Sequence, residues 1–390
     1  MSSLPWDLPA PEAGPVARLN AAGMGRSELG PLMASLGEPF WRGGQLLSGL
    51  LRQRWTRWEQ FSNLSKSLRA RLESEVDLAW PSIVQSQPSA DGSTKHVFNL
   101  RDGRQVEGVY MPYVVREPGG RPARPASGFE DLDETLDRVT LCLSSQMGCA
   151  MGCTFCATGQ MGIIRNLTAP EIVGQVVAML NHHAHPQGRP VNLVFMGMGE
   201  PLHNFEHLMA AFETLTDAEG LAIPPRRITV STSGLVSGID RLGTYPRRPR
   251  LALSLNSTTD EARSRIMPVN RVWNLEALAQ ALERFPLQSG ERITIEYVLL
   301  KGVTDSQADG HRLAAFARRF PAKVNLIPFN PHEGSGFEPP EESRIDVLCR
   351  LLSDAGLPVS VRRSRGQDVA GACGQLVRDG RSSPPRMPRD

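Results

Sequence analysis

The sequence predicts an α/β architecture: a partial (β/α)6 TIM-like barrel with a small N-terminal helical accessory domain and a β-hairpin extension. Three observations lead there. From Arg138 onward, six short apolar runs alternate with longer stretches of helical periodicity, as expected of parallel βα units with helices outside the sheet. The region before residue 92 carries apolar side chains at helical spacing. Between the two, alternating runs flank Asp102-Gly103, a strong hairpin signal.

Taken in order, residues 1–92 form the helical domain. LMASLGEPFWRGGQLLSGLLRQRWTRWEQF reads as helix broken at Gly43 and Gly44, and NLSKSLRARLESE as another, capped by Asn63 or Ser65. Residues 93–137 hold the hairpin, KHVFNLRDGRQVEGVYMP, and then REPGGRPARPASGFEDLDE, a surface loop rich in Pro, Gly and charge. Residues 138–378 form the barrel. Its strands are RVTLCLS, VNLVFMGMG, RITVSTS, RLALSLN, RITIEYVLL and KVNLIPFN; its helices include TAPEIVGQVVAMLN, NFEHLMAAFETL, LEALAQALERF and SQADGHRLAAFARRF. About six units favour a closed or partly closed barrel over a doubly wound sheet, and in either the site belongs at the C-terminal ends of the strands. Residues 379–390 are polar and Pro-rich, an expected disordered tail.

Composition narrows the function. The 390 residues are 40% hydrophobic and 22% charged, ordinary for a folded chain. Such a length buries about three quarters of its unfolded surface and needs no disulfides. A net charge of +2 excludes a strongly basic coat but not local basic patches. No apolar run reaches the roughly 18 residues of a transmembrane helix. The opening MSSLPWDLPAPEAG is acidic and Pro-rich, unlike a secretory signal peptide. A cytoplasmic protein with reduced thiols is therefore expected.

Six cysteines are present, and Cys149, Cys153 and Cys156 form C-x3-C-x2-C just after the first barrel strand. Three thiolates so close must converge on something. A structural zinc site wants four ligands, usually in two pairs, and no fourth Cys or His lies at suitable spacing; His182 and His183 are distant, on a helical stretch. A disulfide framework is disfavoured by the odd number. An iron–sulfur cluster fits best, with zinc or inert thiols as the alternatives. Four irons on three cysteines leave one iron open, as a catalytic centre requires.

In this context C-x3-C-x2-C resembles the motif of the radical S-adenosylmethionine enzymes, with Phe155 at the aromatic position of the loop. Further segments resemble the RlmN/Cfr family of radical S-adenosylmethionine RNA methyltransferases, closest to its RlmN branch. These are TLCLSSQMGCAMGCTFCATGQMG, RNLTAPEIVGQV, MGMGEPLHNF, STSGL, VNLIPFNP and RGQDVAGACGQL, with GEPFWRGGQLL and FSNLSKSLR nearer the N-terminus. The resemblance implies a 4Fe-4S cluster on Cys149, Cys153 and Cys156, and two S-adenosylmethionine molecules per turnover. It implies cofactor contacts from Gly199, Glu200, Ser231, Ser254, Leu255, Asn256 and Asn330. Where the family pattern is Ser-Leu-His, this chain has Ser254-Leu255-Asn256, and Asn can hydrogen-bond but not titrate.

The same resemblance implies a two-cysteine mechanism. Cys373 becomes S-methylcysteine, its methyl is made a radical, and the carbon adds to adenine carbon 2 to give a thioether-linked RNA adduct. Glu107 aligns with the position proposed as the base. Cys142 then attacks the sulfur of Cys373 and releases methylated RNA. On their own residues, Cys142 reads as a small core side chain, Glu107 as an exposed strand carboxylate, and Cys349, on the apolar face of IDVLCRLL, as core. The implied substrates are adenosines in 23S rRNA and tRNA, with an electron donor such as flavodoxin, no membrane partner, and a monomeric enzyme. Carbon-8 methylation, a radical enzyme acting on a non-RNA substrate, and a zinc-stabilised RNA-binding module are the alternatives. RNA contact is expected from Arg247, Arg248 and Arg250, from Arg362, Arg363 and Arg365, and from Arg52, Arg54 and Arg57 alternating with Trp55 and Trp58. The competing reading places those tryptophans in the domain core.

Overall fold

The computed structural model describes residues 18–113 and 138–377. Three helices come first: α1 (Arg26–Ser35), α2 (Arg42–Leu47) and α3 (Lys66–Glu75). Ser65 caps α3 by accepting from the Leu68 amide at 3.2 Å. Gly43 and Gly44 do not break the helix but lie inside α2. A Cβ on Gly43 would stand 2.6 Å from the Gly30 backbone nitrogen, so the glycine lets α1 and α2 cross at backbone contact.

The helical region is also shorter than the expected 1–92. Residues 82–88 form β1 (Ser82–Pro88), antiparallel to β2 (Thr94–Asn99), which pairs in turn with β3 (Gln105–Tyr113). The extension is thus a three-stranded meander rather than a lone hairpin. It joins the barrel through β4 (Arg138–Cys142), with Val109 opposite Cys142. Then come β5 (Gln146–Gly148), α4 (Ala157–Gln160) and β6 (Ile163–Asn166), which bracket the cysteine motif.

The remaining units are α5 (Ala169–His182), β7 (Val191–Phe195), α6 (Phe205–Thr216), β8 (Ile228–Thr232), α7 (Val236–Gly243), β9 (Arg250–Ser254), α8 (Asp260–Ile266), α9 (Leu275–Glu283), β10 (Ile293–Leu299), α10 (Gln307–Ala317), β11 (Ala322–Pro328), α11 (Glu342–Asp354) and β12 (Val359–Val361). All six anticipated strands are present, and β12 adds a seventh parallel one. From β4 to β12 the order in the sheet follows the chain without reversal. A doubly wound sheet reverses at a switch point, so the partial barrel is the correct alternative.

Strands β7 and β8 are buried at every residue because helices cover one face and barrel filling the other. Helix α5 shows why the helices start where they do. Thr168 accepts from the Glu171 amide, and the Glu171 carboxylate accepts from the Thr168 amide at 2.9 Å, closing a capping box with Pro170 in the first turn. Its Ile172, Val173, Val176 and Val177 are buried, each contributing about 1.5–3 kcal/mol. Among the described residues, no helix is long and apolar enough to cross a membrane. The Pro-rich segment, apart from Tyr113, and the C-terminal tail lie outside the described residues.

Candidate active site

A cleft opens at the C-terminal ends of the parallel strands. Cys149, Cys153 and Cys156 line one wall, and Cys373 another. Gly199, Glu200, Ser231, Ser254, Asn256 and Asn330 also line it, so the fold gathers these separate motifs.

The cysteine loop is fixed by its backbone. Gly148 and Gly152 take positive φ, at 69° and 62°, which glycine adopts without strain. A Cβ on Gly148 would collide with the Gly162 carbonyl. The Cys149 amide donates to the Gly162 carbonyl at 2.9 Å and the Thr154 amide to that of Ile266 at 3.0 Å. Burial pushes all three thiols up, helped at Cys149 and Cys153 by the other sulfurs of the motif and at Cys156 by Cys373. Among the described residues, the three sulfurs are not a set lying within 4.8 Å of one another. Thiolates on one tetrahedral zinc would lie about 3.8 Å apart. The spacing of the motif's sulfurs is not that of three thiolates already gathered on a single ion.

Glu200 is buried, which pushes its carboxyl up against the pull of its hydrogen bonds. One oxygen accepts from the Ser233 amide and hydroxyl at 2.7 and 2.8 Å, the other from the Leu202 amide at 3.1 Å. Ser231 and Ser254 meet hydroxyl to hydroxyl at 3.1 Å. Asn256 holds a left-handed backbone, φ 55°, which Asn tolerates better than most residues; its side-chain oxygen accepts from the Val298 amide at 2.9 Å. Leu255 is apart: its side chain lies in the core, its amide donates to Glu296 and its carbonyl accepts from Arg263. Asn330 spends its amide on the Cys373 segment, donating to the Ser364 hydroxyl and Cys373 carbonyl and accepting from Gln367.

Cys142 ends β4, buried beside Cys373 and Arg362. Burial, aided by the nearby Cys373 sulfur, pushes its thiol up to about 12, while the Arg362 cation opposes the rise. All six cysteines are free thiols. Glu107 is buried, not exposed, and does not line the cleft. Because Val109 faces Cys142 across the ladder, Glu107, two residues along β3, shares the sheet face of Cys142. Its carboxylate accepts from the Val377 amide at 3.1 Å and pairs with Lys95 at 3.4 Å.

Two cleft residues escaped the sequence reading. Glu296 lies midway along β10; one oxygen accepts from Asn325 and the other, buried, has no hydrogen-bond partner among the described residues. A lone carboxylate inside an apolar parallel strand was the signal. Arg362, assigned above to RNA phosphates, instead lies half-buried in the cleft near Cys142 and Cys373, 3.6 Å from Glu296. Six of the eight other arginines are engaged too: Arg248 with Glu291, Arg363 with Glu342, Arg365 with the Pro112 and Asp91 carbonyls, and Arg247, Arg52 and Arg54 on backbone carbonyls. Trp58 is core, its indole donating to the Val76 carbonyl, and Trp55 packs edge-on against Phe61. Cys349 is half-buried against the core.

Comparison with known proteins bears on the fold and the family. Residues 143–313 match the radical SAM superfamily and residues 19–78 the ribosomal RNA large subunit methyltransferase N-terminal domain. The chain is 42% identical to the dual-specificity RNA methyltransferase RlmN 2 of Myxococcus xanthus, over 97% of this chain and 96% of that protein. It is 44% identical to the RlmN protein of Geotalea uraniireducens, over 90% and 94%. A radical SAM methyltransferase from Sphaerobacter thermophilus, solved by crystallography, superposes with TM-score 0.82 at 39% identity, covering 92% of this chain and 99% of that one. This chain belongs to the RlmN family. A radical SAM domain implies a 4Fe-4S cluster and S-adenosylmethionine. The chain fits both: the three thiols of the motif and a buried Glu296 oxygen with no hydrogen-bond partner among the described residues line one cleft.

Proposed function

We propose that this chain methylates carbon 2 of adenosine in 23S rRNA and in tRNA, using Cys373 as a covalent carrier. The observation that supports the reading is that Cys373 lines the cleft bounded by the three-cysteine motif, with the buried Cys142 near enough for the Cys373 sulfur to push its thiol up. A cluster on Cys149, Cys153 and Cys156, when bound with S-adenosylmethionine, supplies a carbon radical able to remove a hydrogen atom from a methyl group.

The chain's residues do the rest. Cys373 accepts a methyl group as a nucleophile, becoming S-methylcysteine; this consumes one S-adenosylmethionine and the radical a second. Cys373 then presents its methylene carbon to adenine carbon 2, an electron-poor position with no useful acidity. After addition, the ring gives up its carbon-2 proton, with Glu107 as base, and one electron, which the oxidised cluster would take back. The Cys142 thiolate attacks the Cys373 sulfur, the sulfur–carbon bond breaks, the freed carbon takes a proton, and a Cys142–Cys373 disulfide forms. Asn330 and Gln375 support the reading by anchoring the Cys373 segment, the latter through the Pro331 carbonyl.

The test is anaerobic assay of reconstituted protein on unmodified rRNA and tRNA, with separation and mass analysis of the nucleosides. We expect 2-methyladenosine. Finding only 8-methyladenosine would overturn the position of attack. Full turnover by Cys373→Ala would overturn the carrier.

A further inference from the structure

The extension carries a second cluster of ligating side chains, away from the cleft. His96 on β2 meets His182, the last residue of α5, and His183, which follows it. One ring nitrogen of each lies within 4.8 Å of those of the other two. His96 Nε2 and His183 Nε2 are 2.8 Å apart. We propose that these three histidines form a binding site for a divalent transition ion of the zinc class, fastening the extension to the barrel.

Three features favour a site over a chance cluster. The first is chemistry: imidazole is the nitrogen ligand that zinc and its neighbours prefer, and three protein nitrogens with one open position make a familiar zinc set. The second is orientation. The Ser86 hydroxyl on β1 lies 2.9 Å from His96 Nδ1, so an Nδ1–H donated to it leaves the Nε2 lone pair facing the other rings. An oxygen partner on the far nitrogen is the usual support of a ligating histidine. The Tyr110 ring on β3 stacks on His183, centroids 3.6 Å apart and planes 11° from parallel, which fixes that ring as well. The third is accessibility: His96 is buried, His183 half-buried and His182 exposed, giving an ion an entry side.

Without an ion, one of His96 and His183 must donate an N–H to the other. Binding exchanges that proton for a metal bond to each, and opens the 2.8 Å approach by about half an ångström, since nitrogens on a tetrahedral zinc lie about 3.3 Å apart. The ion would tie β1, β2 and β3 to the end of α5.

The experiment uses the untagged, cluster-reconstituted full chain dialysed against micromolar zinc, with zinc and iron counted by elemental analysis. One zinc per chain is expected with the iron content unchanged. Zinc should raise the melting temperature of the wild type by several degrees and leave that of His182→Ala and His183→Ala unmoved, both having lost the zinc. His182→Ala is exposed, so its fold is not at risk. Absence of zinc uptake by the wild type, or equal uptake by both variants, would overturn the site. Zinc gained only as iron is lost would assign it to the cysteine motif and overturn the site equally.

Discussion

At the scale of residues, the consequential pair is Cys142 and Arg362. A thiol at about 12 is almost wholly protonated at neutral pH, yet only a thiolate attacks sulfur. Cys142→Ala should therefore stop turnover after addition and leave RNA covalently held by Cys373, seen as a retarded band on a denaturing gel; normal turnover with no adduct would contradict the scheme. With the wild type, resolution of pre-formed adduct should quicken about tenfold per pH unit from pH 7 to 9, because the thiolate fraction grows in that proportion below the ionisation point. An opposite charge moves a neighbouring ionisation by about one to three pH units. Arg362→Gln should then displace that profile upward and slow resolution at least about tenfold at fixed pH, measured by single-turnover quench. Arg362→Lys, which keeps the cation, should restore most of the lost rate, whereas a merely structural defect would not be rescued.

At the scale of elements, the βα series was legible because each strand is long enough to show a pattern. VNLVF and ITVST are continuous apolar or small-residue runs between amphipathic helices. What stayed hidden was short or polar. β12 has three residues, all half-buried, and β1, SIVQSQP, is mostly exposed or half-exposed, so neither offers a period to read. Missing β12 caused the error at Arg362: without a strand before it, the residue read as part of a surface basic run. The cysteine loop, by contrast, was legible from spacing, and its glycines explain its shape. Gly148→Ala places a methyl against the Gly162 carbonyl at a positive φ, a cost of about 1–3 kcal/mol or more. It should lower iron per chain after reconstitution by at least half, by elemental analysis, while the far-ultraviolet spectrum stays that of the folded protein.

At the scale of the whole molecule, the extension and the N-terminal helices hold the working parts in place. The β1–β2 turn clamps the Cys373 segment: Gly366 donates to Asp91, Asp368 accepts from Ser89 and Ala90, and Arg365 reaches the Asp91 carbonyl. The helical region is fastened to the barrel by Arg26, bidentate on Asp217 at 2.8 Å. With the arginines so widely engaged in the fold, phosphate attraction has few groups to use, and the +2 charge agrees. RNA affinity should accordingly fall with salt at a log–log slope of only about −2 to −3, each phosphate contact contributing about −0.7 to −0.9. The remaining affinity must come from apolar contact. Phe40 and Trp41, in the turn before α2, are 58% and 61% exposed, unlike the buried Trp58. Stacking of an RNA base on an aromatic ring is worth about 1–3 kcal/mol, so Trp41→Ala should weaken RNA binding about 5- to 150-fold in fluorescence anisotropy, with the salt slope unchanged. Since Trp41 lies outside the cleft, the single-turnover rate at saturating RNA should stay at the wild-type value. A loss of affinity accompanied by a shallower salt slope would instead assign the effect to the neighbouring Arg42, whose guanidinium lies over the Trp41 ring.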